Sequence, residues 1–172
     1  MIDDADLVLA EQVLAACRAR GLTLATAESC TGGLVAAALT AIAGSSDVVE
    51  RGFVTYSNAA KAELLGVPTT LIADKGAVSA EVAAAMAQGA RIRAGTGLAV
   101  AVTGIAGPGG ATPGKPVGLV HFGLAVQGIA PRTEQRVFAG DRSAIRAQAL
   151  RLALELLLAG ARAAKTASQT AD

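Results

Sequence analysis

Residues 97–104, "GLAVAVTG", form a near-continuous apolar run bounded by glycines. A strand with no polar side is found inside a sheet covered on both faces, which requires helices above and below it. The rest of the chain supplies them. Residues 4–20 read as an amphipathic helix, with Leu7, Ala10, Leu14 and Cys17 on one stripe and Gly21 as its stop. "LTLAT" (22–26) reads as a buried strand, "LVAAALTAIA" as a helix ending at Gly44, and "GFVTYS" (52–57) as a second strand. Asn58 is placed to cap a short helix, "AAKAELLG", after which "VP" breaks the chain. Ser79 caps a helix over 80–94, and Asp141 caps a last helix over 142–164. Between those helices come the 97–104 strand, a loop rich in glycine and proline, and strands over 117–126 and 132–139. Strands that alternate with helices and then pair directly predict a single α/β domain over 1–164. Its form is a three-layer α/β/α sandwich with a mixed sheet, parallel in the early strands and antiparallel in the late ones. The tail "KTASQTAD" (165–172) has nothing to bury and is expected to be disordered. There is no internal repeat and no linker.

Hydrophobic residues make up 52% of the 172, and the mean hydropathy is +0.49. That is high enough to raise the question of a membrane. Much of it is alanine, however, and no apolar run approaches the ~20 residues a span needs. "LRLALELLLAGARAA" is interrupted by Arg151 and Glu155, and the N-terminus carries acids where a secretory signal carries bases. Two cysteines, Cys17 and Cys30, are too few for a disulfide framework or a zinc site, so a reducing cytoplasm is the expected setting. Fifteen basic against 14 acidic residues, with 2% aromatics, leave neither the charge nor the stacking surface for nucleic acid. The alanine-rich helices offer flat apolar surfaces suited to a homo-oligomer.

Chemistry concentrates in three places. In "ESCTGG" (28–33) a strand end turns into a helix through two glycines, exposing backbone N–H groups that stabilise a phosphate or an oxyanion. Ser29 or Cys30 could be a nucleophile there, although capping by Ser29 or Thr31 is the commoner role of such residues. Glu28 beside them is placed to orient the turn or to contact substrate. A nucleophile needs a base. His121 is the only histidine and lies in an apolar strand, "GLVHFGL", where a satisfied core residue is the ordinary case. Lys61 follows the second strand among Ala60, Ala62, Leu64 and Leu65. In a parallel sheet it would reach the same rim as Ser29, desolvated enough to act as a base. Tyr56, five residues earlier, could relay a proton or orient Lys61. The third place is "VTGIAGPGG" (102–110), whose Thr103, Gly104, Gly107, Gly109 and Gly110 permit close approach to an anionic ligand. Lys115 ends that loop. No acids stand at metal-ligand spacing.

Four stretches, "TAESCTGGLVAAALT", "GFVTYSNAAKAELLGV", "GAVSAEVAAAMAQGAR" and "AVAVTGIAGPGGATPGKPVGLVHFGLA", together resemble the CinA C-terminal domain family, which includes the nicotinamide-nucleotide amidases. The resemblance runs from about residue 6 to residue 160. It implies hydrolysis of the carboxamide of nicotinamide mononucleotide to nicotinate mononucleotide and ammonia, in pyridine nucleotide recycling, without metal or organic cofactor. It also implies Ser29 as nucleophile, Lys61 as base with Tyr56 beside it, and Thr31, Gly32 and Gly33 as the oxyanion turn. Thr103 to Gly110 would hold the nucleotide. A non-catalytic nucleotide-binding module, or an accessory protein of competence or DNA damage acting through a protein partner, remains the alternative at this stage.

Overall fold

A computed structural model describes residues 2–164, which contain six α-helices and five strands. In chain order they are α1 (Asp4–Arg18), β1 (Leu24–Glu28), α2 (Leu34–Thr40), β2 (Val49–Val54), α3 (Asn58–Leu65), α4 (Thr69–Lys75), α5 (Ala80–Ala94), β3 (Leu98–Gly104), β4 (Leu119–Val126), β5 (Arg132–Val137) and α6 (Arg142–Ala163). The sheet order is β2-β1-β3-β4-β5. β1 runs parallel to β2 and β3, while β3–β4 and β4–β5 are antiparallel. The mixed three-layer α/β/α domain expected from the order of elements is therefore the observed fold.

The central strand owes its place to a size alternation within its apolar run. Leu98, Val100 and Val102 face α1, α2 and α6, packing with Leu24, Phe122, Leu150 and Leu154. Ala99 and Ala101 face the other way, with Ala25, Ala27 and Ala125, against α3, α4 and α5. Both faces are apolar, but one is lined by methyl groups alone, and α5 settles close upon it. The closest approach is at Gly123 of β4, where an added Cβ would lie 2.1 Å from the Ala83 carbonyl oxygen.

The expected elements recur with shifted ends. β1 begins and ends two residues later than "LTLAT", so Glu28 belongs to the strand and is buried. β2 stops at Val54, which leaves Tyr56 beyond the strand end, with Thr55 N–H still bonded to the Glu28 carbonyl at 2.8 Å. Ser57, not Asn58, caps α3, its hydroxyl accepting from Ala60 N–H at 3.0 Å; Asn58 is the first helical residue. α4 was not anticipated. Its seven residues follow Pro68 directly, a residue compatible with a helix start because it lacks an N–H to satisfy. Ser79 and Asp141 cap α5 and α6 as expected. The expected disorder of 165–172 lies outside the described residues.

Replacing Gly123 by alanine should force α5 off the sheet. The expected loss is about 1–3 kcal/mol, seen as a lower urea midpoint with an unchanged slope.

Candidate active site

The parallel strands β1, β2 and β3 end on one rim, and the next residues of each strand form the site. Side chains along a strand alternate between faces. The alternation persists past β1, because Ser29 N–H continues the ladder with a 2.9 Å bond to the Val102 carbonyl. Thr26, Glu28 and Cys30 share one face and Ser29 takes the other. Cys30 is accordingly 5% exposed within the core beside α2 and α6, where burial pushes its thiol up to about 11. A thiol held there is protonated and inert at neutral pH.

Ser29 faces α3 instead. Its Oγ lies 3.2 Å from Lys61 Nζ. Lys61 is 1% exposed, and its Nζ also donates to the carbonyls of Thr55 at 2.9 Å and Tyr56 at 3.4 Å. Among the described residues it has no ion pair. Burial without a counter-ion lowers its pKa from the ordinary lysine value. A neutral amine has two hydrogens and one lone pair. The two carbonyls can take the hydrogens, which leaves the lone pair for the Ser29 hydroxyl.

Glu28 lies under the turn rather than in the cavity. Its carboxylate, 1% exposed, accepts the N–H groups of Gly33 (2.9 Å), Val35 (3.1 Å) and Ala36 (2.9 Å), and the Thr26 hydroxyl (3.2 Å). The positive end of α2 is thereby occupied by a side chain of the protein itself. This changes what the glycine turn can offer. The Gly33 N–H is held by Glu28 and the Gly32 N–H by the Ser29 carbonyl at 3.1 Å, so neither is free for an oxyanion. Among the described residues, Cys30 N–H and Thr31 N–H have no backbone acceptor.

Ser29, Cys30, Tyr56, Asn58, Lys61 and the second glycine loop surround a cavity of about 270 Å³, near the lower end of ligand pockets at about 300 Å³. Gly104, Gly107, Gly109 and Gly110 line it; Glu28, Thr31, Gly32 and Gly33 do not. Thr103 lines it too, but its hydroxyl donates to the Ala77 carbonyl at 2.8 Å. Tyr56 reaches Lys61 only through its carbonyl. Its side chain is 61% exposed, and the hydroxyl accepts from Arg142 Nη2 at 2.9 Å. Lys115 Nζ is tied to the Lys75 carbonyl at 2.8 Å, outside this cavity. His121 lines a different cavity with Lys75, Ser79 and Lys115, and its burial lowers its pKa. No group of three potential metal ligands occurs among the described residues.

Two arginines of α6 complete the rim and were missed in the sequence. Arg142 lines the cavity and bridges Tyr56 Oη to the Gly107 carbonyl at 2.9 Å. Arg146 donates to the carbonyls of Cys30 and Thr31. The available signal was their four-residue spacing behind the Asp141 cap, which sets both on one face at the start of a helix. Among the described residues no acidic side chain lines the cavity, so its basic groups favour an anionic ligand.

Residues 6–160 match the family model for the CinA C-terminal domain. A CinA-like protein of Citrifermentans bemidjiense is 58% identical over 140 residues, 81% of this chain and 34% of that protein. The chain thus spans about a third of the length of such CinA-like relatives. The nicotinamide-nucleotide amidohydrolase PncC of Escherichia coli (strain K12) is 50% identical over 157 residues, 91% of this chain and 95% of that one. Among solved structures, the competence/damage inducible protein CihA from Agrobacterium tumefaciens superposes with a TM-score of 0.89 at 48% identity. That likeness covers 92% of this chain and 97% of that one. With residues 6–160 matching the family model, and with this likeness in sequence and fold, the chain belongs to the CinA C-terminal domain family.

Proposed function

We propose that this chain is a nicotinamide-nucleotide amidase. It would hydrolyse the carboxamide of nicotinamide mononucleotide to nicotinate mononucleotide and ammonia, within pyridine nucleotide recycling. The observation that carries this is the 3.2 Å approach of a buried Lys61 amine to the Ser29 hydroxyl, in a cavity that no acidic residue lines among the described residues. The likeness to an amidohydrolase along nearly its whole length supports the same chemistry.

Neutral Lys61 takes the Ser29 proton as Oγ attacks the carboxamide carbon. The carbonyl oxygen becomes an oxyanion beside the backbone N–H of Cys30, which lines the cavity, and one well-aimed donor contributes about 3 kcal/mol. The C–N bond breaks, and the Lys61 ammonium returns its proton to the departing ammonia. Water, deprotonated by the same amine, then attacks the acyl-serine and releases the carboxylate. Tyr56 acts by its carbonyl, holding the Lys61 amine in place, while its hydroxyl steadies Arg142. Arg142 and the 104–110 loop would receive the substrate phosphate.

Ammonia release from nicotinamide mononucleotide by the purified protein tests the proposal; its absence would overturn it. Ser29→Ala and Lys61→Ala should each lower kcat about 10²–10⁴-fold, whereas Cys30→Ala should keep most activity. Arg142→Ala should act mainly on KM, raising it about tenfold for one lost charge-assisted contact. Protonation of Lys61 removes the base, so kcat/KM should rise with pH. Because burial depresses this amine, the midpoint of that limb should fall below 10.5.

A further inference from the structure

Residues 30–33 belong to no helix or strand, yet the direction of their peptide units decides which N–H groups face a ligand. Those units are gripped from α6. Arg146 donates from Nε to the Cys30 carbonyl at 3.1 Å and from Nη2 to the Thr31 carbonyl at 2.8 Å. In a planar trans peptide the C=O and the following N–H point in opposite directions. A guanidinium that holds the carbonyls of Cys30 and Thr31 therefore turns the N–H groups of Thr31 and Gly32 away from α6. The Gly32 N–H closes onto the Ser29 carbonyl at 3.1 Å, and this in turn orients the Ser29–Cys30 unit. Neither Thr31 N–H nor Cys30 N–H has a backbone acceptor among the described residues, and of the two residues Cys30 lines the cavity. Glu28 fixes the far end of the turn from below, but it touches neither of these two units.

We propose that Arg146 is a positioning residue for the amide hydrolysis. Its fork on two successive carbonyls fixes the Gly32 N–H on the Ser29 carbonyl, and through that bond sets the direction of the Cys30 N–H that receives the oxyanion. The inference rests on the serine-hydrolase reading above and extends it to a side chain that does not line the cavity. Arginine suits the task because its donors are coplanar and fixed in spacing, whereas a lysine ammonium is a compact point charge on a flexible stem and fixes direction less well. Direction matters most when charge has developed on the substrate oxygen, so the effect belongs to kcat and not to KM.

Steady-state ammonia release from nicotinamide mononucleotide, with thermal unfolding in parallel, tests this in wild type, R146A, R146Q and R146K. R146A should lose about 10²-fold in kcat, the scale of one oxyanion donor, with KM within about twofold. R146K should recover part of the loss. Millimolar guanidinium should raise kcat of R146A but leave wild type and K61A unchanged. Wild-type kcat in R146A, a loss confined to KM, or a folded R146A restored by neither lysine nor guanidinium would overturn the inference. If R146A melts below the assay temperature, R146Q decides: a folded R146Q with wild-type kcat overturns the inference, and one with reduced kcat at unchanged KM supports it. An active wild type beside an unaffected R146A defeats this inference alone, whereas an inert wild type removes the hydrolase reading with it.

Discussion

The buried carboxylate of Glu28 holds the site together. It ends β1, sits beneath the turn, and accepts three backbone N–H groups where α2 begins. A carboxylate taken out of water without a cation is costly unless several donors surround it. The start of a helix supplies such donors in a fixed array, with the favourable end of the peptide dipoles behind them. Strand end and helix start are thereby locked together. The five residues between them must make a tight turn with Ser29 at the rim.

Two consequences reach the chemistry. The anion-attracting end of α2 is already neutralised, so it offers nothing to a substrate phosphate. The charge that meets the ligand comes instead from α6, which brings Arg142 to the cavity and Arg146 to the outer side of the turn. The second consequence is electrostatic isolation of Lys61. Glu28 lies on the opposite face of β1, bonded to its own donors, and the amine has no counter-ion among the described residues. Desolvation then lowers the pKa of the amine. A carboxylate on the Ser29 face would have favoured the charged form of Lys61 instead.

The layers serve this arrangement. Alanine on one face of β1, β3 and β4 lets α5 lie close, with α3 packed beside it, so that Lys61 on α3 reaches across the rim. Larger Leu, Val and Phe side chains on the other face support α6 and the arginines it carries. Ser29 thus ends a strand of the sheet and faces the layer from which Lys61 approaches. They meet only because β1 and β2 are adjacent and parallel, with their connections leaving on opposite sides.

Much of this was legible in the residues themselves. The apolar run at 97–104, the alternation of strands with helices, and the Ser79 and Asp141 caps depend on local periodicity and hydrogen bonding. A linear reading detects both. The choice of Ser29 over Cys30, with Lys61 as its partner, came with the family resemblance, and the lysine's apolar neighbours and the want of a convincing histidine agreed with it. Strand and helix ends were placed less well, because Glu28 is held in β1 by donors five to eight residues away. The roles of Glu28, Tyr56, Arg142 and Arg146 needed the tertiary structure. Each depends on hydrogen bonds between elements up to 116 residues apart, and no local pattern records which carbonyl a guanidinium will find. By itself the sequence determined which residue types could do the work and on which rim they would gather; the packing of α2 and α6 decided which N–H groups remain free to do it.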